Sequence, residues 1–217
     1  LTAILREVLR RNRVVNGMVY LQVTRGAARR DHVFPSPAVR PALVVTAKSL
    51  APAVNAAKYA AGIKAMTVAD NRWGRVDIKT VGLLPNVLAR QQAKEAGAQE
   101  AIFVDADGNV TEGGATNLWI VDKAGTLVTR PADHAILRGV TRTTLMDVAG
   151  TLGIAVEERR FSVADMLEAR EVFITGATTI CLPVVCVDGR AIANGHPGMT
   201  AQKLREAFFA VAEKTAI

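Results

Sequence analysis

Apolar residues recur at Leu1, Ile4, Leu5, Val8 and Leu9, the spacing of one helical face, so the chain opens in an amphipathic helix. The period then shortens. Gly17-Met18-Val19-Tyr20-Leu21-Gln22-Val23-Thr24-Arg25 and residues 42 to 47 read as strands, with a charged loop ending at Phe34-Pro35 between them. Residues 63 to 68 predict a third strand, followed by a loop through Asn71-Arg72-Trp73-Gly74-Arg75 that leads into Asp77-Ile78-Lys79, and 86 to 96 predict a helix. Further strands are expected at 101 to 105, 116 to 122 and 126 to 130, with Asp107-Gly108-Asn109 as a hairpin signal between the first two. Residues 142 to 152 read as helical and 154 to 161 as extended, and Ser162 with Asp165 has the form of a capping box opening a short helix. Strands at 171 to 175 and 180 to 187 follow, and Leu204, Ala207, Phe208 and Val211 mark a final amphipathic helix.

Runs of strands broken by isolated helices predict an α+β fold with mixed, mostly antiparallel sheets and flanking helices, and argue against a doubly wound parallel sheet. With 217 residues, half of them hydrophobic, the chain can bury a large core, which excludes a disordered polypeptide. No apolar run approaches the roughly 18 residues of a membrane span. Cys181 and Cys186 lie five apart in one expected strand and so on opposite faces. That argues against a mutual disulfide and for a reducing compartment, the cytoplasm of a microbe. The chain begins at Leu1, already inside a helical pattern, so the natural protein is expected to start earlier.

A net charge of +7 raises the question of nucleic acid. The densest basic stretch, Arg10, Arg11, Arg13, Arg29 and Arg30, comes with only 5% aromatic residues, no base-stacking signature and no zinc-ligand spacing, which favours an ordinary solvated surface and no nucleic-acid partner.

Three stretches place polar residues where chemistry could use them. Arg25 to Pro35 carries Arg29, Arg30 and His32, a set able to grip a carboxylate and equally suited to a solvated turn. In Asp77-Ile78-Lys79-Thr80 a lysine alternates with apolar neighbours, a pattern that could place the amine inside, where desolvation would make it a nucleophile toward carbonyls, and that also suits a surface lysine. In Val110-Thr111-Glu112-Gly113-Gly114-Ala115-Thr116-Asn117 a carboxylate precedes two glycines that allow a ligand close to the backbone or simply form a turn. No G-x-G-x-x-G follows a strand and no Walker loop is present, so a nucleotide site has no support.

In this order, Arg72-Trp73 ahead of Asp77-Ile78-Lys79, then Asn86-Val87-Leu88-Ala89 and Gln91, then Val110-Thr111-Glu112-Gly113 with Asn117, the chain resembles the class IV aminotransferases. This family comprises D-amino-acid and branched-chain aminotransferases and aminodeoxychorismate lyase. The resemblance implies a two-domain fold, with residues 1 to 54 as the remainder of a small N-terminal domain and 55 to 217 as a large domain binding pyridoxal phosphate. The family's opening segment has no counterpart ahead of Leu1.

By the same resemblance Lys79 holds the cofactor as an aldimine, Glu112 faces its pyridine nitrogen and Leu137 packs on its ring. Val140 and Thr141 cradle its phosphate at a helix N-terminus, a favourable place for an anion. A second phosphate loop matches Thr175-Gly176-Ala177-Thr178-Thr179, with Ala177 where the family usually has a hydroxyl, so that either Thr178 supplies one or the backbone suffices. Arg30 and His32, an Arg-x-His pair ahead of Phe-Pro, resemble the carboxylate trap of the D-amino-acid enzymes. The implied activity is transfer of an amino group from a D-amino acid such as D-alanine to a 2-oxo acid such as 2-oxoglutarate, in a homodimer. Aminodeoxychorismate lyase, a branched-chain aminotransferase and an inactive binding module are the alternatives.

Overall fold

A computed structural model describes residues 1 to 50 and 52 to 212, with the side chains of 52 to 55 outside the description. The chain forms two compact units, one spanning Leu1–Ala56 and one beginning at Ala57. Among the described residues no helix is long and apolar enough to cross a membrane.

The first unit holds helix α1 (Thr2–Arg11) and an antiparallel pair, β1 (Gly17–Thr24) and β2 (Ala42–Ser49), in register from Gly17 opposite Ser49 to Thr24 opposite Ala42. Arg10 and Arg11 of the basic stretch both bind Glu7 on the exposed face of α1, as a solvated helix surface does. The loop from β1 to β2 is pinched where Gly26, at φ +119°, approaches the Arg40 carbonyl so closely that a Cβ would lie 2.1 Å from the oxygen. Arg30 and His32 project from this loop, and both are exposed.

In the second unit, β3 (Ile63–Ala69), β4 (Glu100–Val104), β5 (Val110–Gly113), β6 (Asn117–Val121), β7 (Leu127–Thr129), β8 (Val156–Glu158), β9 (Glu171–Thr175) and β10 (Leu182–Val187) form one mixed sheet. Its order is β5-β4-β3-β10-β9-β6-β7-β8, and β11 (Arg190–Ala191) adds to β10. The pairs β3/β10, β3/β4 and β7/β8 are parallel and the others antiparallel. The sheet curls toward closure. The Val110 N–H donates to the Phe161 carbonyl at 2.9 Å, joining its first strand to the chain that leaves its last.

Period-2 alternation explains why β6 is buried throughout. Leu118 and Ile120 face a core with Ile102, Val128, Phe161 and Met166 inside the curl. Trp119 and Val121 face the other way, against Phe173 and helices α4 (Val140–Thr151) and α6 (Met199–Val211). A strand covered on both faces reads as a continuous apolar run, as Leu118-Trp119-Ile120-Val121 does. Helix α3 (Leu84–Glu95) covers Ala101 and Phe103 through Ala89 and Ala93. Helix α5 (Val163–Leu167) opens on the expected capping box, Ser162 with Asp165.

Several expectations need correction. The Asp107-Gly108-Asn109 turn joins β4 to β5, a strand absent from the sequence reading, whereas β6 pairs with β7 and β9. Its short length and the glycines at its end, poor strand formers, hid β5. Helix α2 (Pro52–Ala61) had no clear signal, and the strand expected from residue 180 starts at Leu182 because Ile180 is left-handed at φ 51°. Cys181 therefore lies just ahead of β10, buried, while Cys186 within it is half-buried; both thiols are free.

Candidate active site

A cavity of about 1030 Å³ opens where the loop after β3, the start of α3, the β5–β6 turn, the segment before α4 and the end of β9 converge. Such a volume suits a cofactor together with a small substrate.

Its polar floor is built on Arg72. This guanidinium is only 4% exposed and lies between Asp70, 11% exposed, and Glu112, 7% exposed. Nε and Nη2 donate to the two Asp70 oxygens at 2.8 and 2.7 Å, Nη2 also reaches the Ala135 carbonyl at 3.2 Å, and Nη1 donates to Glu112 Oε1 at 2.5 Å. The fork's carbon sits 4.3 Å from the centre of the Phe103 ring, a cation–π contact that fixes its plane. Asp70 thus takes the bidentate share of one cation and Glu112 a single N–H. Burial works against the Asp70 charge, yet the Arg72 hydrogen bonds and charge hold its carboxyl below the usual range. For Glu112 burial wins, and its pKa is pushed up to about 7 against the pull of Arg72.

Glu112 Oε2 is filled by two donors, Asn117 Nδ2 and the Leu137 N–H, each at 3.1 Å. Oε1 accepts from Arg72, which leaves a lone pair of a buried carboxylate for a proton or for a donor in the cavity. Asn117 Nδ2 also donates to the Leu137 carbonyl at 2.8 Å, tying the floor to the segment that enters α4.

That segment ends at Gly139, the N-cap of α4, which has no capping side chain. The first-turn amides of Val140 and Thr141 lack intrahelical acceptors and carry the positive end of the helix dipole, an arrangement that attracts anions. Gly139 is required, since a Cβ there would lie 2.2 Å from Asn117 Oδ1. At the end of β9 the Thr175 hydroxyl accepts from Trp119 Nε1 at 3.0 Å, and Gly176 and Ala177 continue the cavity wall.

Lys79 lines the same cavity from the turn after β3. It is exposed, as is Ile78, so its apolar neighbours do not desolvate it as the alternating pattern suggested. The turn is held by the Val76 N–H on the His134 carbonyl at 2.9 Å and by Asp77 between Arg75 and His134. The glycines after Glu112 answer to protein neighbours: a Cβ on Gly113 would meet Thr116 Oγ1 at 2.1 Å and one on Gly114 the Arg90 side chain at 2.6 Å. Behind them buried Glu100 accepts from the Gly114 N–H, Thr116 and Arg90, each at 3.2 Å.

The structure therefore gathers Lys79, Glu112, Leu137, Val140, Thr141 and Ala177 around one cavity. Thr178 is exposed and outside the lining, and Arg30 and His32 belong to the first unit. Sequence reasoning missed Asp70 and Glu100 and gave Arg72 and Asn117 no role. A charge abutting the apolar run Ala101-Ile102-Phe103 was the available signal for Glu100.

Residues 1–187 match the family model of the class IV aminotransferases. The chain belongs to this family. It is 36% identical over 208 residues to a D-alanine aminotransferase of Staphylococcus epidermidis, covering 96% of this chain and 72% of that protein. With a D-alanine aminotransferase of Listeria innocua it shares 39% over 209 residues, 96% and 71% of the two chains. Among solved structures, the branched-chain aminotransferase of Escherichia coli superposes with a TM-score of 0.82 at 27% identity, over 96% of this chain and 69% of that one. A second branched-chain aminotransferase, solved with pyridoxamine 5'-phosphate, gives 0.82 at 29%, over 94% and 68%.

Class IV aminotransferases use pyridoxal phosphate, and this enzyme's residues fit it. The cavity offers a primary amine, a buried carboxylate with an open acceptor, an apolar residue at Leu137 and helix-start amides suited to a phosphate.

Proposed function

We propose that this class IV aminotransferase exchanges an amino group between a D-amino acid such as D-alanine and a 2-oxo acid such as 2-oxoglutarate, with Lys79 as its catalytic amine. The observation that carries the reading is the convergence of Lys79, Glu112 and the α4 amides on one cavity. Similarity to two D-alanine aminotransferases at 36 and 39% identity supports the choice of substrate.

Pyridoxal phosphate, when bound, supplies an electrophilic carbon for the amino group and a ring that takes up electrons. Lys79 would hold it covalently, and once displaced by the substrate it is a free amine able to take the substrate's α-proton and return it. Glu112, raised to about 7, is poised to share a proton with the pyridine nitrogen. The Val140 and Thr141 amides, with the Gly176–Ala177 backbone, would hold the phosphate. Arg30 and His32 are assigned to the substrate carboxylate on their chemistry, a planar fork and an imidazole donor. Donor and acceptor substrates then use the site in turn, and atoms balance as one amino acid and one oxo acid exchange their amino and oxo groups.

Ile78, Val81, Leu83, Leu84, Val87 and Leu88 expose an apolar band that runs from the cavity wall, where Ile78, Leu83 and Val87 lie, out to Val81, Leu84 and Leu88, with Val81 at 83% and Leu84 at 68%. A contiguous band of this kind marks a protein interface, and a second copy of the chain is the proposed occupant. The free thiols support a reducing compartment, the cytoplasm.

Incubation with D-alanine and 2-oxoglutarate, followed by chiral separation of the products, tests the reading. It predicts pyruvate and D-glutamate. Turnover of L-alanine or L-leucine alone would overturn the D-specific assignment, and pyruvate release from aminodeoxychorismate without an acceptor would replace transfer with elimination.

A further inference from the structure

The turn that carries Gly176 and Ala177 along the cavity wall ends on an improbable residue. Ile180 is left-handed at φ 51°, a conformation that a β-branched side chain adopts only when its surroundings impose it. Two amides, of Thr179 at 3.1 Å and of Ile180 at 2.8 Å, donate to the Gly176 carbonyl and close the turn. The Thr179–Ile180 peptide is thus tied by its N–H to the residue that faces the cavity. Its other end is tied as well, because the Tyr59 hydroxyl donates to the Thr179 carbonyl.

Tyr59 is itself held. It lies on α2, packs on the core inside the sheet, and carries the Arg205 guanidinium of α6 at 3.8 Å from its ring centre. Arg205 also lies 4.9 Å from the Phe209 ring. Burial raises the phenol's pKa, with Arg205 pulling the other way, so the hydroxyl keeps its proton and remains a donor.

We propose that Tyr59 is a positioning residue for the cofactor's phosphate: by locking the Thr179–Ile180 peptide it holds the Gly176–Ala177 backbone in the form that meets the anion. Ala177 has no hydroxyl to offer, so this wall depends on backbone geometry more than a serine or threonine turn would. The inference rests on the reading that pyridoxal phosphate occupies this cavity with its phosphate against that turn.

Affinities of cofactor-free wild type and Tyr59→Phe for pyridoxal phosphate and for pyridoxal, read by tryptophan fluorescence alongside thermal melts, test it. Phenylalanine keeps the ring beneath the Arg205 guanidinium and removes the hydroxyl, with its bond to the Thr179 carbonyl and its polar contact with Arg205. The expected result is about a fivefold loss in affinity for pyridoxal phosphate, the scale of one hydrogen bond, with pyridoxal binding unchanged. Equal weakening of both ligands, as a general loss of structure would cause, overturns the inference, and so does no change in either. A wild type that binds pyridoxal as tightly as its phosphate would instead overturn the phosphate assignment beneath it.

Discussion

Replacing Arg72 with methionine should be among the most damaging single changes to the cofactor-free fold, and its cost should depend on pH. The substitution keeps side-chain bulk against Phe103 and removes the cation from between Asp70 and Glu112, both nearly buried. Deleting one partner of a buried ion pair costs about 3–5 kcal/mol, because the other is left buried and unpaired. Glu112 can escape most of that penalty by binding a proton, as its pKa near 7 already shows. Asp70 cannot at neutral pH, so the cost resides chiefly there.

Proton linkage gives the sign. In the wild type, Asp70 has a lowered pKa, so its contribution is present above the unfolded value of 3.8 and is lost only as pH falls through the folded value. In the variant both carboxyls have raised folded values, so the folded state binds more protons than the unfolded one and is stabilised by acid. The loss should be largest at pH 8, roughly 10 °C in Tm for a domain of this size, and shrink toward pH 5. Thermal melts of wild type and Arg72→Met at the two pH values, with Asp70→Asn/Arg72→Met as the partial rescue, measure it. A loss under about 1 kcal/mol at pH 8, or one that grows on acidification, would refute the reasoning.

Glu112, raised from 4.5 to about 7, contributes stability that is full below 4.5 and lost as pH rises to about 7; the change is on the order of 3 kcal/mol, and Glu112→Gln should abolish this part of the pH dependence in melts of the cofactor-free protein. Gly113→Ala, which drives a Cβ to 2.1 Å from Thr116 Oγ1 and 3.3 Å from its carbonyl, should cost about 1–3 kcal/mol. Gly114→Ala meets the flexible Arg90 side chain and should cost less, so chemical denaturation that ranks the two in reverse order would contradict the packing described. Leu84→Glu/Leu88→Glu should shift the protein from dimer to monomer in light scattering, since it charges the exposed apolar band.

Periodicity revealed α1, α3, α4, α6 and the long strands because each presents a regular face, as α6 does through Leu204 and β6 through both of its faces. It failed where backbone geometry outweighed side-chain pattern. β5 runs into two glycines packed against Thr116 and Arg90, and Ile180 breaks a β-like run by adopting a left-handed conformation that no sequence rule assigns to isoleucine. The site was legible as motif and opaque as mechanism. Arg72 and Asn117 were visible as parts of motifs, but that one divides its fork between Asp70 and Glu112, and the other ties Glu112 to Leu137, depends on contacts across 40 and 20 positions of chain. Asp70 had no local pattern, for it is a polar residue at a strand end like many others. The exposure of Lys79 runs against the pattern that drew attention to it, because its turn lies beyond β3 rather than in a strand.

The assignment at stake is Lys79 as the amine of a D-specific pyridoxal-phosphate aminotransferase. Visible absorption spectra of wild type and Lys79→Ala, loaded with pyridoxal phosphate and then mixed with D- or L-alanine, test it most directly. The expected result is a long-wavelength band of covalently held cofactor that requires Lys79 and that D-alanine bleaches while L-alanine does not. The same band in Lys79→Ala, or no band in wild type, would contradict it.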